Sequence, residues 1–137
     1  MKTVLCSRTR PSQIGEEIYD GGFGYTLDFS WAKWPKDLEG VHTLNGCFDP
    51  EGNLYVATEN PENPVVIFSP EGEYLRSIGA GLFKKAHSVF LTPHRTILTA
   101  DTSPGYHVIR EITMDGELVY DFGTLGQPGD SGYDLNY

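Results

Sequence analysis

The stretch Asn53-Leu-Tyr-Val-Ala-Thr58, followed by Val65-Val-Ile-Phe-Ser-Pro-Glu-Gly-Glu-Tyr-Leu-Arg-Ser-Ile78, decides the fold. It holds three short runs, Leu54–Thr58, Val65–Phe68 and Tyr74–Ile78, rich in β-branched and aromatic residues and bounded by turn residues. Pro70-Glu-Gly-Glu73 puts a glycine where a tight hairpin needs a positive φ. Pro50-Glu-Gly-Asn53 and Met114-Asp-Gly-Glu117 do the same. Further along, Ser88–Leu91, Thr96–Ala100, His107–Ile112 and Glu117–Phe122 have the same character. No long window keeps apolar residues at i, i+3, i+4 and i+7. The expectation is an all-β protein of short antiparallel hairpins.

The pattern repeats. Asn53-Leu-Tyr-Val-Ala-Thr58 aligns with Thr96-Ile-Leu-Thr-Ala-Asp101 at an offset of 43 residues. Phe68-Ser-Pro-Glu-Gly-Glu73 aligns with Ile112-Thr-Met-Asp-Gly-Glu117 at an offset of 44, so one extra residue sits in the loop from Asp101 to Tyr106. Four strands per unit at this period predict propeller blades. The division is 1–43 for degenerate N-terminal strands, 44–86 and 87–126 for two blades, and 127–137 for a loop or tail. Inner strands are expected at 44–48 and 87–91, and outer strands at 74–78 and 117–122. In the first segment, Tyr25–Trp31 reads as a strand ended by Trp34-Pro35, with Val4–Ser7 and Gly15–Tyr19 as two more.

Composition narrows the function. The chain has 137 residues, of which 39% are hydrophobic and 21% charged, with 7 Phe, 8 Tyr and 2 Trp. That is a globular domain with a core, not a disordered, collagenous or coiled-coil chain. The net charge of −9 argues against a nucleic-acid partner, since phosphate binding needs clustered Lys and Arg. No apolar run approaches the roughly 18 residues that span a bilayer, so no membrane partner is expected. The N-terminus shows no signal-peptide core, and a cytoplasmic location is the expectation. Cys6 and Cys47 leave two readings open, a disulfide or two reduced thiols. The second is preferred for a cytoplasmic chain.

The repeats resemble NHL repeats, and among them the bacterial six-bladed propellers related to peptidyl-α-hydroxyglycine α-amidating lyase. The residues that carry the likeness are Asp49–Val56, Pro64–Gly79, Gly81-Leu-Phe-Lys-Lys-Ala-His-Ser88, His107–Arg110 and Gly123-Thr-Leu-Gly-Gln-Pro-Gly-Asp130. The resemblance spans about 25–135 and implies the N-terminal half of a propeller. Six blades need about 260 residues at this period. A short natural protein or a fragment that closes by self-association is therefore expected. It would be a dimer if residues 1–40 make a third blade, or a trimer if two blades count, with a monomer whose distorted sheet is capped as the alternative.

Site residues follow from the blade frame. The resemblance implies that His87, at the head of the second inner strand, stands where the lyases place one of three zinc-binding histidines. One imidazole per chain falls short of the three or four ligands zinc takes. Copies of His87 around an axis would supply them. Zinc at such a site, or calcium at the propeller axis, is the cofactor to test for, and none is firmly predicted. The family's catalytic arginine falls here at Glu59 or Asn60, so lyase turnover by this chain alone is not expected.

Glu59, Asp101 and His107 join His87 as candidate ligand-binding residues. Asp101 is also expected to accept backbone N–H bonds in the turn that follows it. Arg110 is expected to cover the blade face or to pair with Glu111 or Asp121 across strands. His42 and His94 are read as solvated loop residues. Ser88 and His87, adjacent on one strand, point to opposite faces and make no catalytic pair. The aromatic group Phe23, Tyr25, Phe29, Trp31 and Trp34 is read as an interface ahead of an apolar pocket.

The expected function is a half-propeller module. It self-associates and binds a small molecule, peptide or protein at its axis or loop face, without catalysis. The runner-up is a metal-dependent lyase or hydrolase with a His87 site assembled across subunits. A protein-interaction scaffold is a third class.

Overall fold

The computed structural model describes residues 17–20, 23–26, 28 and 30–129. The expected strand at Val4–Ser7, Cys6, and the tail from Asp130 lie outside the described residues.

Strands β1 (Glu17–Asp20) and β2 (Phe23–Thr26) form an antiparallel hairpin. A single 3-10 turn, Lys36–Leu38, follows. The first four-stranded sheet consists of β3 (Thr43–Phe48), β4 (Leu54–Thr58), β5 (Val65–Phe68) and β6 (Tyr74–Ile78), in that spatial order. The second consists of β7 (Phe90–Leu91), β8 (Thr96–Asp101), β9 (Val108–Thr113) and β10 (Leu118–Phe122), also in sequence order. Every pair within the two sheets is antiparallel. The protein is all-β, as the runs and turn glycines predict. Among the described residues no helix is long and apolar enough to cross a membrane.

The repeat survives in the strand register. The row Cys47, Tyr55, Ile67 across the first sheet corresponds to Phe90, Leu98, Glu111 across the second. The row Ala57, Val65, Ile78 corresponds to Ala100, Ile109, Phe122.

The two sheets pack face to face. Tyr55, Ala57, Val65, Ile67 and Ile78 of the first meet Val89, Ile97 and Ile112 of the second half, with Phe83 and Ala86 from the connecting segment between them. Burial of such side chains stabilises by roughly 1.5–3 kcal/mol each and is the main force joining the sheets. The far face of the first sheet is covered as well. Val56, Val66 and Phe68 lie under Leu38, Trp31 and Trp34. The Trp34 ring meets Phe68 edge-on at 4.8 Å between centroids. This double coverage explains why Val65–Phe68 reads as an unbroken apolar run, whereas β9 alternates buried and accessible residues.

Gly72 shows how the covering segment is held. Lys33 N–H donates to the Gly72 carbonyl at 2.8 Å, and Trp31 Nε1–H donates to the Pro70 carbonyl at 3.2 Å. A methyl group on Gly72 would lie 1.8 Å from the Trp31 carbonyl oxygen, and φ there is +79°. The hairpin glycine thus serves both the turn and the approach of a second backbone.

Three sequence expectations change. The strand drawn over Tyr25–Trp31 stops at Thr26, and Trp31 sits in a bend, because its ring turns onto Phe68. The expected strand at Gly15–Tyr19 is found as Glu17–Asp20. The second inner strand shortens from 87–91 to Phe90–Leu91, because side chains replace part of the ladder. Ala100 N–H donates to the Ser88 hydroxyl at 3.3 Å, and Val89 N–H donates to Asn45 Oδ1 at 3.0 Å, tying the two inner strands together.

The outer face of the second sheet is exposed. Ile109 is 39% accessible where its counterpart Val65 is fully buried, and Phe122 is 41% accessible where Ile78 is 6%. Phe90 and Tyr120 share this face and are exposed.

Candidate functional site

One end of the two sheets gathers the chemistry-bearing residues. At this end β4 runs into β5, β8 into β9, and the connection from β6 reaches β7. Glu59 follows β4, His87 precedes β7, Asp101 ends β8 and His107 precedes β9. All four candidates of the sequence reading therefore sit at the same end, and their geometry separates their roles.

Glu59 is the centre of an ionic cluster. His42 Nδ1 lies 2.9 Å from Glu59 Oε1, and Lys85 Nζ forms an ion pair with the same oxygen. The Glu59 N–H also donates to the His42 carbonyl at 3.0 Å. Hydrogen bonds from Lys85, then His42, hold the Glu59 carboxyl below its ordinary value of 4.5, so it is charged at neutral pH. His42 is a solvated loop residue, as read from the sequence, and it also pairs with Glu59. The sequence reading passed over Lys85. A signal was available, because His42 and Lys85 stand 43 residues apart, at the same position of the two repeats.

Asp101 is a structural carboxylate. It is 1% accessible. Its Oδ2 accepts from the Lys84 and Lys85 N–H groups at 2.7 and 3.0 Å, and its Oδ1 accepts from Ser103 N–H at 2.8 Å. The bond from the following turn is the one expected from sequence. The bonds to the inter-sheet connection are additional. Thr58, its counterpart in the first sheet, caps its own loop by donating to the Asn63 carbonyl at 2.7 Å.

Arg110 is buried on the face toward the first sheet. Its Nε donates to Asp121 Oδ1 at 2.9 Å, the cross-strand pairing expected from sequence. Its other arm donates to the Leu82 carbonyl and clamps the connecting segment. A buried guanidinium held this way positions structure.

His87 is exposed, and its backbone N–H donates to the Ala100 carbonyl at 2.8 Å. His107 adopts φ +42°, unusual for a residue with a side chain. Its Nδ1 is buried and finds no hydrogen-bond partner among the described residues. No three His, Cys, Asp or Glu side chains come close enough to hold a metal ion among the described residues. The donors of a single described chain therefore do not fit a zinc ion.

Two recesses open on the described surface. One of about 110 Å³ lies between hairpin turns at the opposite end, beside Pro50, Pro93 and Met114. The other, about 240 Å³, opens on the outer face of the second sheet and is lined by Ala100, Asp101, Thr102, His107, Val108 and Ile109.

These features define an all-β protein of two repeated antiparallel sheets, with a polar end and an uncovered apolar face. Compared with known proteins, the chain matches no family model and no curated protein.

Proposed function

We propose that the two sheets are propeller blades, and that the chain is a non-catalytic binding module completed by copies of itself. Association occurs through the outer face of the second sheet, and a small molecule, peptide or protein is bound at the end carrying Glu59, His87 and His107. One observation carries this reading. Val65 and Ile78, buried on the face of the first sheet that meets the second, have exposed apolar counterparts in Ile109 and Phe122. A repeat array buries each face against its neighbour, and among the described residues none covers this face. Exposed contiguous apolar surface of this kind marks an interaction site.

Light scattering on a sizing column tests the reading. The wild-type protein is expected to elute as a dimer or trimer. Ile109→Lys combined with Phe122→Lys is expected to give monomers with an unchanged far-ultraviolet circular dichroism spectrum. A monomeric wild type at high micromolar concentration overturns the reading.

A further inference from the structure

The two sheets meet through unlike faces. The first offers the row Ala57, Val65, Ile78, and the second receives it on the side of Ile97 and Ile112. The offering face recurs in the second sheet as the row Ala100, Ile109, Phe122, with Phe90 and Tyr120 beside it. The receiving face recurs in the first sheet. At the repeat offsets of 43 and 44 residues, Ile97, Thr99, Arg110 and Ile112 correspond to Leu54, Val56, Val66 and Phe68.

A head-to-tail neighbour would seat its exposed offering face on the receiving face of the first sheet. That seat is taken. Val66 and Phe68 are fully buried, and Trp31, Trp34 and Leu38 of the same chain pack over them. The cover is fastened at three points. Lys33 N–H donates to the Gly72 carbonyl, the Trp31 indole N–H donates to the Pro70 carbonyl, and the Lys33 side chain pairs with Glu73. Cyclic trimers and larger rings are built from head-to-tail contacts, whereas a two-fold dimer uses the same patch on both subunits.

We infer that the exposed face of the second sheet meets the same face of a second copy about a two-fold axis, and that assembly stops at two. The inference rests on the reading that copies associate through this face, and it adds which surface of the partner is used. The face suits itself chemically. Ile109, Phe122, Tyr120 and Phe90 are 39%, 41%, 58% and 59% accessible. The Tyr120 and Phe122 rings already hold each other edge-on, at 4.8 Å between centroids, so docking costs them little side-chain freedom. Glu111, the carboxylate of this face, accepts from the Thr96 hydroxyl. On a chain of net charge −9, a face with one carboxylate lets two copies approach with little local repulsion.

Sedimentation velocity tests the stoichiometry, and mixing tests the contact. The wild type is expected to pass from monomer to dimer, with no larger species, up to high micromolar concentration. A trace of fluorescently labelled wild type is expected to sediment as a dimer in excess unlabelled wild type. In the same excess of Ile109→Lys combined with Phe122→Lys it is expected to stay monomeric, its affinity lowered at least tenfold, because a two-fold contact needs the face on both partners. Tyr120→Glu, a single change at an exposed position, is expected to act in the same direction. In a head-to-tail contact these variants would still present an intact first sheet and its cover, and the mixed dimer would form with wild-type affinity. Such a mixed dimer, or a wild-type trimer or larger ring, would overturn this inference and leave the association reading standing. A wild type that stays monomeric overturns both.

Discussion

Arg95 occupies, in the second sheet's first hairpin, the place that Gly52 holds in the first. Both have positive φ, +60° for Arg95 and +89° for Gly52. The left-handed region costs a residue with a side chain about 1–2 kcal/mol. The ion pair that Arg95 makes with Glu51 at 3.2 Å is exposed and contributes well under 1 kcal/mol. Arg95→Gly is therefore expected to stabilise the fold by about 0.5–1 kcal/mol after the extra unfolded-state entropy of glycine is counted. The urea midpoint measures it, and a lowered midpoint contradicts the argument. Asp49 shows the opposite balance. Burial pushes its carboxyl up, but hydrogen bonds from the Asn53 side chain and backbone outweigh this and hold it below its ordinary value of 3.8. The depressed value means that its stabilisation is fully present above pH 3.8 and is lost as pH falls through the folded-state value. Urea melts between pH 5 and 2.5 are expected to show a shallower loss of stability for Asp49→Asn than for wild type.

At the scale of elements, the connection from β6 to β7 joins the two sheets more than any strand pair does. Asp101 accepts from its backbone at Lys84 and Lys85, Arg110 donates to its Leu82 carbonyl, and Phe83 plugs the core from within it. Asp101→Ala leaves these N–H groups without an acceptor and is expected to destabilise by about 2–3 kcal/mol. Asp101→Asn, which keeps one carbonyl oxygen, is expected to lose less. Denaturant midpoints of the two variants check the order, and equal losses would mean that the connection is held by Phe83 alone. The turns, strand runs and repeat offset were legible because each depends on local chemistry: a glycine at positive φ, or a run of β-branched residues. The shortening of β7 was not legible, because the Asn45 side chain that takes Val89 N–H lies 44 residues away.

For the whole molecule, the net charge of −9 opposes the association that the exposed face favours. The face itself contributes one carboxylate, Glu111, already hydrogen-bonded to Thr96 at 2.5 Å. Self-repulsion is screened by salt, with a Debye length of about 10 Å at 0.1 M, whereas apolar burial is not weakened by it. Association is therefore expected to tighten several-fold between 20 and 300 mM NaCl by analytical ultracentrifugation. Weakening over that range would mean that ion pairs, not the Ile109–Phe122 face, hold the copies together.

The amino-acid sequence by itself determined the all-β class, the hairpin turns and the period of the repeat. These follow from pleat alternation and backbone sterics, which act over a few residues. It also brought Glu59, His87, Asp101 and His107 to one end, because strand order alone sends every second connection there. Only the tertiary structure decided what each of them does. It gave Asp101 to the backbone of the connection, set Glu59 between His42 and Lys85, and turned Trp31 and Trp34 onto Phe68. Those outcomes rest on contacts between distant segments. Apolar burial is non-directional, so a run of residues states that a face must be covered without stating by what.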